Sequence, residues 1–408
     1  MTCPRLLFLS HRLPYPPHSG AAIRTYNILS LLARDFEITA LCFDRDDPSM
    51  RNVPLETRIA GLAQFGQFEA FPIPQQRSRT RLIWDHARSV LVRRPYTWYL
   101  HDSATYDRRL GELVRTGGFG LAHVDSLDLV HLLPRLDGLP VACNHHNVES
   151  ALLRRRAAVL PAGLLRWYLG LQAGHLEETE RAWLPRVALN IAVSDDDRAL
   201  LASVAPAARV ETIPNGVDTE FFQPARPGED CGGGLVFVGG TTWFPNRDAL
   251  EWFAGQVLPE LRRQSIGAPV TWVGRVSEEE RSRYDGRLGL RLTGYVDDIR
   301  PYLTRADVFV APLRVGGGTR LKLLDAWAMG KAVVSTRVGA EGLGAIHGET
   351  MLFAETPQEF ADAVTRLLRD ASLRRRLGEA ARRRVEHVFG WGVIGARLRD
   401  LYLRLATS

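Results

Sequence analysis

The sequence predicts an α/β protein of two doubly wound domains, and three observations carry that prediction. Short apolar runs alternate with stretches of helical apolar spacing, the pattern of strand–helix crossovers that build parallel sheets. Turn chemistry at Ile213-Pro-Asn-Gly-Val-Asp218 interrupts this alternation, which then starts afresh. The 408 residues suit two domains of ordinary size.

In the first half, Arg5–Ser10 is a short apolar run that reads as a buried strand, followed by the loop Pro14-Tyr-Pro-Pro-His-Ser-Gly20. Ala22, Tyr26, Leu29 and Ala33 recur at helical spacing, and Glu37–Cys42 reads as the next strand. No clear period is visible from Phe65 to Tyr106, and that stretch is left unassigned. Leu121–Val124, Val141–Cys143 and Ala188–Val193 read as strands, and Ser194 with three following aspartates reads as a capped helix start. After a loop at Pro224–Gly234, strands are expected at Leu235–Val238, Val270–Val273, Leu290–Thr293, Val308–Ala311 and Ala332–Ser335. Helices are expected at Asp248–Arg263 and Thr319–Met329, with arginine-rich helical patterning from Pro357 to the end.

Composition narrows the function classes. Apolar residues are 45% and charged residues 24% of the chain, which argues against long disorder. No apolar run approaches the roughly 18 residues that cross a bilayer, and the apolar core of the first ten residues is too short for a signal peptide. Cys3, Cys42, Cys143 and Cys231 are far apart, so neither a disulfide framework nor a metal cluster is expected and a reducing cytoplasm fits. The net charge of +6 suits an anionic partner, but no zinc-finger or RNA-binding signature supports nucleic acid. Nearly all the positive charge is arginine; Lys322 and Lys331 are the two lysines. Their shared stretch suggests a compact ammonium used as a point charge against phosphate, although arginine-biased composition plus chance explains the clustering equally well.

That stretch carries the strongest local signal. In Ala311-Pro-Leu-Arg-Val-Gly-Gly-Gly-Thr-Arg-Leu-Lys-Leu-Leu-Asp-Ala-Trp-Ala-Met-Gly330, a buried strand runs into three glycines that open onto a helix. Glycines let backbone approach a ligand closely, and the free N–H groups at a helix start form an anion cradle suited to a diphosphate. Lys322 and Asp325, three apart, share a helix face where one can meet phosphate and the other can accept from ribose hydroxyls.

The stretch resembles the nucleotide-sugar site of family-4 glycosyltransferases, which have the GT-B fold: two doubly wound Rossmann-like domains facing each other across a cleft. Ser19-Gly20, Ile213–Asp218, Phe237-Val-Gly239, Trp272-Val-Gly-Arg275 and Thr293-Gly-Tyr-Val296 stand in the family's order. Phe244-Pro-Asn246 and Val296-Asp-Asp-Ile-Arg-Pro301 resemble exosortase-associated sugar transferases. The resemblance implies an acceptor-side domain over 1–215, completed by a C-terminal helix at 392–408, and a nucleotide-sugar domain over 216–391. It implies a transferase moving a sugar from a nucleotide-diphosphate donor to a polysaccharide or lipid-linked acceptor, retaining and metal-independent, with no cofactor. Gly20, Arg275, Gly318, Thr319 and Lys322 would meet the diphosphate, and Gly294, Tyr295 and Asp325 the nucleoside. The family often carries two glutamates eight positions apart; here Gly317 and Asp325 replace them, so the first contact to the donor sugar is missing.

For acceptor chemistry, Asp125 falls where the family often places a histidine, with His123 two residues before it on one strand face. Both are candidate catalytic residues, against the alternative of a strand-end aspartate and a buried histidine. Front-face retention lets the departing phosphate take the acceptor proton, so a strong protein base is not obligatory. His146 and Asn147 follow a strand and are expected on the acceptor side. A metal set drawn from His123, Asp125 and the His145-His146 pair is not favoured, and the runs Asp44-Arg-Asp-Asp47 and Ser194-Asp-Asp-Asp197 read as turns and caps. Arginines mixed with Leu, Trp and Tyr at Arg154–Tyr168 suit peripheral contact with an anionic inner-membrane face, or equally a plain packed helix. The competing readings are a nucleotide-sugar epimerase of the same architecture and a non-catalytic binding protein derived from it.

Overall fold

The computed structural model describes residues 3–45, 53–226 and 233–407; Asp46, Asp47 and Cys231 lie outside the described residues. The chain divides into two units, Met1–Pro214 with Ile394–Ser408, and Asn215–Val393.

The first unit is built on a seven-stranded parallel sheet ordered β3-β2-β1-β4-β5-β6-β7. Its strands are β1 (Arg5–Ser10), β2 (Glu37–Asp44), β3 (Gly66–Pro72), β4 (Leu121–Asp125), β5 (Val141–Asn144), β6 (Leu189–Ala192) and β7 (Val210–Thr212). Helices α1 (Gly20–Leu32), α2 (Arg79–Val92), α3 (Glu149–Val159) and α4 (Leu164–Trp183) belong to the connections. The central strands β4, β5 and β6 are buried at every residue, as parallel strands covered on both faces must be. Ser19 caps α1 by accepting from the Ala22 amide, which ends the proline-rich loop and starts the first crossover.

The second unit carries a six-stranded parallel sheet ordered β10-β9-β8-β11-β12-β13. These strands are β8 (Leu235–Val238), β9 (Val270–Val273), β10 (Leu290–Leu292), β11 (Val308–Ala311), β12 (Ala332–Ser335) and β13 (Leu352–Phe353). Between them run α5 (Phe244–Trp252) and α6 (Leu321–Ala328). Alternate strand residues enter two cores: Phe237, Trp272 and Val310 on one face, and Val236, Val273 and Phe309 on the other. The final helix, α7 (Trp391–Thr407), buries Ile394, Leu398, Leu401, Tyr402 and Leu405 at helical spacing.

Both sheets have the Rossmann order, with the direction of winding reversing at β1/β4 and at β8/β11. Ligands of open α/β sheets bind beyond the strand carboxyl ends at such reversals. The unassigned stretch 65–106 holds edge strand β3, α2, and helices Tyr96–Leu100 and Ala104–Thr116 within or overlapping it. Every residue of β3 is partly buried or exposed, so it lacks the buried run that marks the central strands. The helix expected at Asp248–Arg263 begins earlier, at Phe244, and passes through a wider turn at Phe253–Val257.

Candidate active site

In the second unit, the residues after β8, β9, β10 and β11 form one group at the carboxyl ends. Gly239 follows β8 with φ +153°, and a Cβ there would lie 2.5 Å from Lys322 Nζ and 2.6 Å from Asn246 Nδ2. Lys322, in the first turn of α6, donates to Asn246 Oδ1 at 2.6 Å and stands 4.1 Å above the Phe237 ring. Its hydrogen-bond partner is thus a neutral amide. Burial, and then the neighbouring Arg320, push its ammonium well below its usual range, while Asp325 acts the other way. Arg275, after β9, lies with its guanidinium carbon 4.8 Å from the centre of the Tyr295 ring and has no carboxylate partner among the described residues. Gly274 and Gly294 pair backbone to backbone and hold these two strand ends together.

The glycine turn after β11 is shaped from behind by Arg320, whose guanidinium donates to the carbonyls of Gly317 and Gly318 and, at 3.1 Å, of Val338. Gly318 takes φ +64°, in the left-handed region where glycine costs least. With the carbonyls drawn to Arg320, the Gly317 and Gly318 amides have no acceptor among the described residues. Thr319 is buried at the end of this turn, and its carbonyl accepts from Asn215 at 3.4 Å. One helical turn past Lys322, burial pushes the Asp325 carboxyl up to about 7, against the pull of Lys322. Unlike Lys322, Lys331 binds no open site: its ammonium donates to the carbonyls of Thr304 and Ala306 at 2.9 Å each. Lys331 is thus a structural tie, and the lysine at the strand-end group is Lys322.

In the first unit, β1 and β4 bring Ser10 and Asp125 into register at the winding reversal. Asp125 is fully buried and accepts from Thr25 Oγ1 at 2.6 Å, Asn144 Nδ2 at 2.8 Å and Ser10 Oγ at 3.3 Å. His146 Nε2 lies 3.1 Å and His123 Nε2 3.5 Å from its Oδ1. Burial alone would raise its carboxyl, but His146 and His123 hold it well below the usual carboxylate range. Its neighbour His123 is stacked on Phe8 at 4.0 Å and bonded through Nδ1 to the Tyr402 hydroxyl, with no exposed surface. The direct contact with substrate expected of His123 and Asp125 therefore has no exposed atom to make it. Their carboxylate–imidazole chain ends on His146, which is partly exposed.

The other expected residues are spread around this chain. Asn147 donates to Glu149 Oε1 at 3.3 Å, and burial followed by Asp128 raises the Glu149 carboxyl to about 8. Gly20 is exposed in the first turn of α1, the helix that also supplies Thr25 and Arg24. Arg24, Arg12 and His11 are residues that the sequence reading missed. Arg24 is buried, donates to Asn144 Oδ1 at 2.9 and 3.0 Å and to Ile213 O at 2.9 Å, and is lowered to about 10 by burial. The one available signal for His11 was its place directly after β1. His11, Asp125 and His146 each bring a metal-ligating atom to within 4.8 Å of the others. However, His11 Nδ1 is engaged by the Asp125 carbonyl at 2.7 Å, and Arg12 donates to its Nε2 at 3.1 Å. With the Asp125 oxygens already accepting three hydrogen bonds, the set fits a hydrogen-bonded network better than a cation cage.

Two Rossmann-like units with these strand-end loops define a GT-B-type fold. A model described as Glycosyltransferase Family 4 matches residues 18–221, half of the chain, and one described as Glycosyl transferases group 1 matches 232–370. The chain belongs to glycosyltransferase family 4. A phosphatidyl-myo-inositol mannosyltransferase of Mycolicibacterium smegmatis is 30% identical over 54% of this chain and 58% of its own length. An uncharacterised protein of the Klebsiella pneumoniae cps region is 31% identical over 31% of this chain and 35% of its own. The chain thus spans about a third to three-fifths of these curated relatives. Among solved structures, a sucrose-phosphate synthase of Thermosynechococcus elongatus superposes with TM-score 0.73 at 18% identity, covering 99% of this chain and all of the other. Anabaena HepE, solved with UDP, superposes with TM-score 0.66 at 13% identity over 98% of this chain and all of its own.

Proposed function

We propose that this chain transfers a sugar from a nucleotide-diphosphate donor to a glycan or lipid-linked acceptor, with retention and without a metal. One observation carries the donor reading: Lys322 is desolvated and bonded to an amide rather than a carboxylate, beside glycine amides that have no acceptor among the described residues. Keeping a charge in that state is costly unless an anion completes the site. In this reading Gly318, Thr319, Lys322 and Arg275 hold the diphosphate, and Asp325, Gly294 and Tyr295 hold the nucleoside. HepE's bound UDP supports a nucleotide-sugar donor, and the mannosyltransferase name of the Mycolicibacterium smegmatis relative supports sugar transfer. The resemblance of the Phe244–Asn246 and Val296–Pro301 motifs to exosortase-associated transferases supports a cell-surface polysaccharide as product.

The chemistry asks for leaving-group stabilisation more than for a strong base. Lys322 and Arg275 offset charge as the glycosidic bond to diphosphate breaks, and the freed phosphate oxygen takes the acceptor's hydroxyl proton. On the acceptor side, His146 is the group that meets substrate, and Asp125 is a positioning residue that orients it. Thermal-shift titration with UDP, GDP and their sugars tests the donor site. At about a hundredfold excess over the dissociation constant, one of them should stabilise the protein by roughly 2.7 kcal/mol. Lys322→Met and Asp325→Ala should lose most of that shift. If no nucleotide diphosphate or sugar derivative shifts the wild type, the reading fails.

A further inference from the structure

The first unit presents a surface that the transfer reading does not use. On α2, Ile83 is 70%, Trp84 62% and Leu91 76% exposed, and on α4, Leu164 is 85% and Trp167 60% exposed. These helices are neighbours, because His86 on α2 bonds the Tyr168 hydroxyl at 2.6 Å and Gln172 on α4 donates to Ser89 Oγ at 2.8 Å. Such large apolar side chains on adjoining helices are unusual for a solvated face.

The charge around their exposed ends is mostly positive, although the later part of α4 carries Glu177, Glu178 and Glu180. Residues 79–94 contain Arg79, Arg81, Arg88, Arg93 and Arg94 and one acidic residue, Asp85, which is buried. Residues 150–176 contain four arginines and no aspartate or glutamate. Between α3 and α4 lies an open groove lined by Arg154, Ala157, Arg166, Trp167 and Leu171, where Arg154 is paired with Glu177 and Arg166 flanks the apolar floor. Tryptophan beside leucine and isoleucine suits the headgroup–acyl boundary, and arginine suits the phosphates above it.

We infer that α2 and the α3–α4 turn form a docking face for an anionic phospholipid bilayer, on which the protein lies peripherally. Apolar side chains enter the boundary while arginines pair with lipid phosphates, so neither interaction suffices alone. This goes beyond the transfer reaction and does not rest on it, because no nucleotide or acceptor enters the argument.

The test is co-sedimentation of the full chain with vesicles of phosphatidylcholine alone, or with about 30 mol% phosphatidylglycerol, at low and high salt. The wild type should partition onto the anionic vesicles only, more strongly at low salt. Both Leu91→Ser/Leu164→Ser/Trp167→Ser and Arg79→Glu/Arg166→Glu should lower the partition coefficient by about tenfold or more. Arg291→Glu/Arg305→Glu, exposed positions in the second unit, should leave it unchanged. Thermal unfolding verifies that each variant is folded, and wild-type hydrogen exchange gives a variant-free readout: amides of 79–92 and 164–170 should slow on anionic vesicles. The inference is overturned if the wild type stays in solution at low salt, or if the apolar variant binds as the wild type does. It is also overturned if the face mediates self-association that the same substitutions abolish.

Discussion

Asp125, a candidate catalytic residue by its place at a strand end, is a buried hub of hydrogen bonds. Three donors and two imidazoles converge on a carboxylate with no accessible surface. Removing a buried charge leaves its donors unpaired, so Asp125→Ala should cost about 3–5 kcal/mol, measured by denaturant unfolding. The sign of its pH dependence follows from its lowered carboxyl. Its contribution is present above the unfolded value near 3.8 and is lost as pH falls through the lower folded value. His123 and Asp125 were legible as a pair from their spacing, but their depth depended on Phe8 and Tyr402, which are remote in sequence. That Lys322 and Asp325 share one helix was legible from their spacing, because the turn and the helix that present them are local.

At the scale of elements, the strand ends of the first sheet gather histidines that are kept neutral. Burial lowers His131 and His145 to about 4 and moves His11, His101 and His123 downward as well. A histidine with a lowered folded-state pKa contributes stability above its unfolded value near 6.5 and loses it as pH falls toward the folded value. The melting temperature should therefore fall between pH 7 and pH 5, and His131→Gln/His145→Gln should flatten that slope. A slope unchanged in the double variant would place the acid sensitivity elsewhere. The central strands were evident as apolar runs, whereas β3 was not, because a half-buried edge strand has less need of an apolar face. Helix α2 escaped for the opposite reason: with Ile83, Trp84 and Leu91 outward, its solvent face is not polar.

For the whole molecule, chain order and structural units do not coincide, since Ile394–Ser408 belongs with the first 214 residues. Gly395 packs so close to Leu31 that a Cβ would lie 2.5 Å from its methyl group. The five buried side chains of this helix are worth about 1.5–3 kcal/mol each, so together they rival the 5–15 kcal/mol stability of a typical domain. Deleting 394–408 should abolish the cooperative unfolding of the first unit while 215–393 retains a transition of its own, as calorimetry would show. Survival of both transitions would mean that the helix is dispensable. The break expected near 215 came from turn chemistry, and the return of 392–408 to the first domain from the family resemblance; the helix's partners, Tyr402 with His123 among them, lay nearly 280 residues apart in sequence.

By itself the sequence determined the two parallel sheets, the glycine turn before α6 and the Lys322–Asp325 face, because each follows from periodicity or spacing within a few residues. The tertiary structure alone decided that Lys331 ties down carbonyls, that Asp125 is sealed beneath His146, and that α2 and α4 adjoin with large apolar side chains exposed. Burial and charge environment are set by neighbours that chain order does not reveal.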